Sequence, residues 1–371
     1  MIFGLGSPRR VRRAGWIALA AVSVVLPFLL GAGALSTAVF VLIAAIGAVG
    51  LNILTGYAGQ ISLGHGFFLA VGAYTGAVLG ADHHLTAAIW LPAAGIAAAL
   101  CGAIVGPTAL RLRGLYLAIV TLGLVYIGQY IFLNATGITG GPGGRAFPAV
   151  SFGPDLNFAA GHQLEIAGLT IGSTGLYYFL ALLILWLAVG FTYNLQRTRV
   201  GRAFQAVRER ELAASVMGVD LARTKVAAFV ISSFLAGISG ALFASYLSFV
   251  VPSQWDLLLS IQYVAAIIVG GMGTVLGPVL GSIVVFALPD LITHLSFVNT
   301  NGSGGITPGD LSSIVYGVLI IVFLVAEPRG IVGLGDRVAS LLGGWRRRGD
   351  HPDPSRPSPE ANPTTGGGVL P

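Results

Sequence analysis

Charged residues are scarce in this 371-residue sequence, and their scarcity excludes a soluble globular domain. Only 9% of the residues are Asp, Glu, Lys or Arg and 55% are hydrophobic, whereas a soluble domain carries about 25% charged residues. Charge-free windows run over 37–81, 86–110, 114–144, 166–196, 226–255 and 257–289. Because a helix needs about 20 apolar residues to cross a bilayer, the sequence predicts an integral membrane protein.

Cysteine, lysine and intramembrane acids are rarer still, and each shortage excludes a kind of site. The single cysteine, Cys101, can form neither an internal disulfide nor a multi-cysteine metal site. The single lysine, Lys225, does not stand in a GxxxxGK[ST] nucleotide-binding loop. Asp290 and Glu327 are the only acids that touch a predicted span, whereas ion-coupled transporters usually keep such groups inside the membrane. We expect transport that is passive or driven by another chain, with no cofactor here.

The apolar runs predict an all-α fold. Backbone groups in hydrocarbon must be satisfied within a helix, and transmembrane strands would show an alternating pattern instead. We predict a polytopic membrane bundle of about ten helices, within a range of eight to ten, near 16–34, 37–54, 61–79, 87–107, 115–133, 174–193, 226–250, 257–270, 275–292 and 311–326. No catalytic cluster of His, Asp, Glu or Ser stands out, and no metal site is predicted.

The positive charges predict the orientation. They cluster before the first span, after the fourth and tenth spans and between the sixth and seventh. With these spans, all of these positions lie on one side of the membrane, and Arg145 alone lies on the other side. Because positive residues in short loops stay on the cytoplasmic side, both termini are predicted to be cytoplasmic. The first 34 residues also fit a secretory signal with a cleavage site of small residues, an alternative that leaves the remaining topology unchanged.

This topology divides the chain into three parts. We predict a basic cytoplasmic N-terminus over 1–13, a transmembrane domain over 14–340 and a disordered cytoplasmic tail over 341–371, which is rich in Pro, Gly and polar residues. Within the domain, 195–225 is predicted to be a cytoplasmic loop and 134–173 an extracytoplasmic loop.

The stretch NILTGYAGQISLGHG at 52–66 places polar residues and glycines between apolar runs. Its glycines favour a broken helix, which is tolerated at membrane depth only inside protein or beside water. One interpretation is that Asn52, Tyr57, Gln60 and His65 line a polar translocation path. The other is that these side chains hydrogen-bond freed backbone groups between helices. Gly270, Gly271 and Gly273 indicate a similar interruption later in the chain.

The cytoplasmic loop contains a segment, Ala203 to Met217, without Gly or Pro and rich in helix formers. Gly218 is expected to end this helix. It is either a solvated connector or a docking helix for a cytoplasmic partner. In the second case we expect Phe204, Val207 or Leu212 to contact that partner and Arg208, Glu209 or Glu211 to lie at the rim, where a charge reversal has a modest effect.

Five segments together resemble a known family. They are NILTGYAGQISLGHGFF at 52–68, RLRGLYLAIVTLG at 111–123, GITGGPGG at 137–144, the loop VGRAFQAVRERELAASVMGVDLARTKVAAFVISSFLAGISGALFA at 200–244 and IVGGMGTVLGPVLG at 268–281. In this order, over roughly 37–335, they are similar to the M-type permease subunit of bacterial branched-chain amino acid ABC importers. Closely related permeases serve importers of urea and short amides.

The resemblance implies an assembly in the bacterial plasma membrane. Its members would be two unlike permeases, two cytoplasmic ATP-binding subunits and an extracytoplasmic solute-binding protein, without nucleic acid. It also implies that the cytoplasmic loop holds the coupling helix, whose E-A-A…G pattern Glu211, Ala213, Ala214 and Gly218 match with Leu212 interposed. The chain would be a transport subunit and not an enzyme. The alternative from another class is a passive channel or facilitator that acts alone.

Overall fold

The computed structural model describes most of the chain between residues 20 and 294. The described residues are 20–112, 114–153, 157–159, 163–166, 169–294, 314–315, 317–318, 321 and 330–333. The predicted N-terminal segment 1–13, the predicted tail 341–371 and most of the span predicted near 311–326 lie outside them.

Helices make up nearly all of the described structure, so the all-α prediction is confirmed. In chain order they are α1 (Ala20–Leu29), α2 (Ala32–Leu51), α3 (His65–Ala77), α4 (Ala87–Val105), α5 (Thr108–Arg111), α6 (Leu115–Asn134), α7 (Thr136–Thr139), α8 (Ser173–Leu195), α9 (Arg199–Glu209), α10 (Glu211–Val216), α11 (Leu221–Leu247), α12 (Leu257–Gly270) and α13 (Gly277–His294). The π-helical segments Asn52–Tyr57 and Val78–Asp82 continue α2 and α3.

The membrane-spanning character is confirmed by length and composition. Long apolar helices in the described part are Ala32–Tyr57, Ala87–Val105, Leu115–Asn134, Ser173–Leu195, Leu221–Leu247 and Pro252–Gly270, with shorter ones at Ala20–Leu29 and Gly277–Asp290. A helix accompanies each predicted span from the second to the ninth. The predicted boundary between the first and second spans, at 34–37, lies too late in the chain. Gly31 has an extended backbone (φ −67°, ψ 164°), and α2 already begins at Ala32.

The centre of the bundle is α11, which packs against α2, α3 and α4. Small residues allow these backbones to approach closely. A Cβ at Gly240 would collide with the backbone of Leu69 in α3, and one at Gly237 would lie 2.5 Å from the carbonyl oxygen of Ala94 in α4. Gly240 and Gly237 therefore allow α11 to approach α3 and α4 closely.

The loop predicted over 134–173 contains short secondary structure that its sequence did not indicate. Strand β1 (Arg145–Ala146) pairs antiparallel with β4 (Phe249–Val250), which follows α11. Strands β2 (Gln163–Ile166) and β3 (Leu169–Gly172) form a hairpin that leads into α8. Strands of two to four residues are too short for an alternating pattern to be recognised.

Candidate functional site

The motif at 52–66 interrupts the chain between α2 and α3. At Asn52 the α-helix changes to a π-helix, which ends at Tyr57. Gly59 follows with φ +69°, a left-handed conformation that glycine adopts without a steric penalty. A regular α-helix resumes only at His65. The glycine-rich motif is therefore a helix interruption, as its composition predicts.

A second interruption separates α12 from α13. Gly271 and Gly273 have φ values of +118° and +79°. The Thr274 hydroxyl donates to the Gly271 carbonyl oxygen at 2.8 Å and accepts from the Gly277 N–H at 3.0 Å. Thr274 thereby caps the first turn of α13, and the glycines supply the backbone turn that precedes it.

Asn52 joins the two interruptions. Its side-chain Nδ2 donates to the Thr274 carbonyl oxygen at 2.8 Å, and its Oδ1 accepts from the Gly273 N–H at 2.8 Å. Asn52 is almost fully buried. A buried backbone group without a partner is costly, so one amide satisfies two peptide groups that the second break leaves outside a helix. For Asn52, this contact agrees with the second interpretation of the motif, in which polar side chains hydrogen-bond freed backbone groups between helices.

Arg208 from α9 reaches the same place. Its Nη1 donates to the Gly56 carbonyl oxygen within the π-helical segment. The Arg208 Cα lies 3.1 Å from where a Cβ of Gly59 would stand, and a Cβ at Gly273 would lie 2.5 Å from Nη1. The Arg208 side chain therefore holds the loop against the first helix interruption by a hydrogen bond, and its guanidinium lies close beside Gly273 in the second.

Asn52 should matter more for stability than its buried neighbour Gln60. Replacing Asn52 by Leu removes the partners of Gly273 and Thr274, and each buried group left unpaired costs about 1–3 kcal/mol. Gln60 bonds through its side chain to the carbonyl oxygen of nearby Ala58, so Gln60→Leu is the matched control. Thermal unfolding of the purified protein in detergent should show the larger loss for Asn52→Leu. Equal losses would contradict the bridging role.

The predicted single helix over 203–217 is wrong in one respect, because the structure has two helices there. Thr198 caps α9 by accepting from the Gly201 N–H at 3.2 Å. Arg210 is extended (φ −153°, ψ 103°) and separates α9 from α10. Neither Gly nor Pro marks this break in the sequence. The bend lets α9 and α10 turn different faces toward the bundle.

The side chains expected to contact a partner divide between those two helices. Phe204 is 0% exposed and Val207 is also buried, so both pack inside this chain and the expectation that they face a partner is corrected. Leu212 on α10 is 70% exposed. The apolar side of α9 is directed inward because it packs against α11 and the motif at 52–66.

Glu211 forms an ion pair that the sequence analysis missed. Its Oε1 lies 2.7 Å from the Lys225 Nζ at the start of α11, and the lysine side chain is 2% exposed. The prediction that Glu211 lies at an exposed rim is therefore corrected, and a reversal of its charge would face Lys225 with a second cation. The available signal was that this is the only lysine of the chain, at the start of an apolar span.

The outer surface of α10 is apolar and uncovered. Leu212 is joined there by Val216 and Met217, which are each 85% exposed. Gly218 then turns the chain with φ +85°, and its N–H donates to the Ser215 carbonyl oxygen at 3.0 Å. We call Leu212, Val216 and Met217 the α10 apolar face. Glu209 and Arg210 are exposed beside it.

A cavity of about 550 Å³ lies between the loop and the first interruption. Its walls are Ala58, Gly59 and Gln60 on one side and residues 207–213 on the other. The loop thus lies against the motif but does not fill the space beside it.

The side chains predicted to line a path are buried within this chain. Asn52, Tyr57, Gln60 and His65 are each no more than 4% exposed. The His65 ring packs against Tyr263 with centroids 4.8 Å apart, and its Nε2 has no hydrogen-bond partner among the described residues. A path role for these residues stays a prediction. Within the described part of the chain, no group of His, Cys, Asp and Glu is suited to hold a metal ion.

Comparisons with known proteins agree over most of the chain. Residues 33–324 match the family described as branched-chain amino acid transport system / permease component. The chain is 33% identical to the high-affinity branched-chain amino acid transport system permease protein LivM of Escherichia coli (strain K12). The alignment extends over 328 residues and covers 85% of this chain and 74% of that protein. The LivM protein of Salmonella typhimurium is 32% identical over the same shares. The E. coli permease protein LivH is 25% identical over 77% of this chain and 90% of its own length. No solved structure matches the chain.

Proposed function

The chain belongs to the branched-chain amino acid transport system permease family, and from that premise we propose that it carries branched-chain amino acids across the bacterial plasma membrane as one permease of an ATP-driven importer. The observation that carries this proposal is a family match that includes both helix interruptions and the cytoplasmic loop. The relatives are named as transport permeases, and the role is transport and not catalysis.

The energy source is proposed to lie on separate chains. The sequence contains no GxxxxGK[ST] loop, and the α10 apolar face is uncovered in this chain. We assign that face to a cytoplasmic ATP-binding subunit, two of which would serve the two permeases. An extracytoplasmic solute-binding protein would deliver the substrate from the other side.

The test of this function is reconstitution. The chain, purified with its associated subunits from native membranes, should bring an ATP-binding protein and a second permease with it. In liposomes the complex should take up leucine only when ATP and a solute-binding protein are present. Uptake of urea or an amide without leucine would favour the related importers, and flux through this chain alone would favour a stand-alone facilitator.

The orientation is tested by thiol labelling in a Cys101→Ala background. Under the proposed topology, Asn157 faces outside and Gln205, an exposed residue of α9 outside the α10 apolar face, faces the cytoplasm. In right-side-out vesicles, Asn157→Cys should react with an impermeant maleimide, because the loops rich in Arg lie on the cytoplasmic side. The matched variant Gln205→Cys should react only after the membrane is disrupted. The reverse pattern would overturn the orientation.

A further inference from the structure

A second cavity, of about 530 Å³, opens between α2, α11, α12 and α13. Its volume falls within the roughly 300–1,000 Å³ of small-molecule sites. Most of its lining is aromatic or aliphatic, with Phe40, Phe243 and Phe286 among the walls. Under the proposed orientation, α2 runs inward from Ala32, so this cavity opens on the half of the bundle away from the cytoplasmic loop.

One end of this cavity is acidic. Asp290 and Thr37 line it, and the Thr37 hydroxyl donates to the Asp290 Oδ2 at 3.1 Å. Within α2, α4, α6, α8, α11, α12 and α13, Asp290 is the single acidic residue, since Asp256 lies just before α12 as its cap. Ionisable groups are expensive in such helices and usually mark a substrate or ion pathway. A carboxylate beside aromatic walls is an environment that attracts an ammonium group.

Two further lining residues, Trp255 and Tyr263, carry polar groups and are almost fully buried. The indole Nε1 of Trp255 has no hydrogen-bond partner among the described residues. A buried indole N–H normally finds an acceptor. Tyr263 lines the cavity as well, and its ring contacts that of His65, which the sequence placed on the translocation path.

We propose that this cavity is a transient binding site for a zwitterionic apolar amino acid inside the permease. Asp290 holds the ammonium group, the indole N–H of Trp255 is the donor for the carboxylate, and the aromatic walls receive the aliphatic side chain. This inference rests on the proposed function and adds the place and the chemistry of recognition.

Ligand protection of a cysteine tests the site. Leu247 lines the cavity and is partly exposed, so Leu247→Cys in the Cys101→Ala background reports on access. The permease complex without its solute-binding protein is labelled with maleimide. Leucine at about ten times its dissociation constant should slow labelling roughly tenfold, because the unoccupied fraction falls as 1/(1 + [L]/Kd). The amine 3-methylbutylamine should protect at higher concentration, and 4-methylpentanoate, which lacks an ammonium group, should not.

The acidic group is tested by a matched pair of substitutions. Asp290→Asn should abolish protection by leucine. Asp256→Asn should leave it intact, because Asp256 caps α12 outside the cavity lining and asparagine caps equally well.

These outcomes separate the site from the function. Leucine uptake by the unmodified complex tests the proposed function alone, and its absence would contradict that function. Uptake with no protection of Leu247→Cys by leucine, or with equal protection by 4-methylpentanoate, would overturn the site, and so would undiminished protection in Asp290→Asn. The ligand series uses the native Asp290, so it decides the question even where Asp290→Asn does not fold.

Discussion

Replacing Lys225 by methionine is expected to destabilise the protein by about 3–5 kcal/mol, because removal of one partner leaves the other member of a buried ion pair uncompensated. The Nζ lies 2.7 Å from Glu211, and the lysine side chain is nearly inaccessible to solvent. The pair connects α10 to the start of α11, so its loss should also release α10. The measurement is the thermal stability of the purified protein, together with the yield of intact complex.

The matched control is the exposed ion pair between Asp220 and Arg223, of which Arg223 lies two residues before Lys225. Both side chains are largely solvated, so Arg223→Met should cost only about 0–1 kcal/mol. The double variant Lys225→Met with Glu211→Leu should recover much of the loss, since an apolar pair can replace a buried ion pair. Equal effects of Lys225→Met and Arg223→Met would show that burial of the pair contributes nothing.

The sequence was sufficient for the membrane fold because length and polarity decide it. Charge-free runs near 87–107 or 174–193 have no stable state in hydrocarbon other than a helix, and the helices α4 and α8 stand there. The precise start of α2 at Ala32 depended on the backbone of Gly31, which composition does not determine. The short strand β1 after α6 depends on pairing with β4, about a hundred positions away, and local sequence carries little of that information.

The helix interruptions were predictable, whereas their connections were not. Glycines in apolar runs predicted both breaks. That Asn52 would bond to Gly273 and Arg208 to Gly56 depends on how α2, α9 and α12 meet. The same tertiary packing buries Phe204 in this chain. A polar residue near a break is therefore identified by sequence, but its partner is identified only by the fold.

The α10 apolar face is expected to control assembly with the ATP-binding subunit. Large apolar side chains clustered on a short exposed helix are typical of a docking surface. The helix is held from behind, because Ala214 is buried and Glu211 is paired with Lys225. Such a fixed, uncovered face can bind a partner without first ordering itself.

Val216→Asp should lower recovery of the ATP-binding subunit by about tenfold or more, since an interface anchor contributes at least about 1.4 kcal/mol. The permease itself should keep its thermal stability, because Val216 is 85% exposed and exposed substitutions change stability little. The matched control is Val200→Asp, an exposed apolar residue on α9 in the same loop. Equal recovery from both variants would mean that the partner does not use α10.

Substitutions of Gly218 test the orientation of α10, whereas Val216→Asp tests its surface. No atom would obstruct a Cβ there, so the constraint is the backbone, whose φ is +85°. Asparagine tolerates this region and a β-branched residue does not. Gly218→Asn should therefore preserve stimulation of ATP hydrolysis by the solute-loaded binding protein, and Gly218→Val should reduce it. If Gly218→Val assembles and transmits full stimulation, the turn does not orient the coupling helix and the loop is a connector.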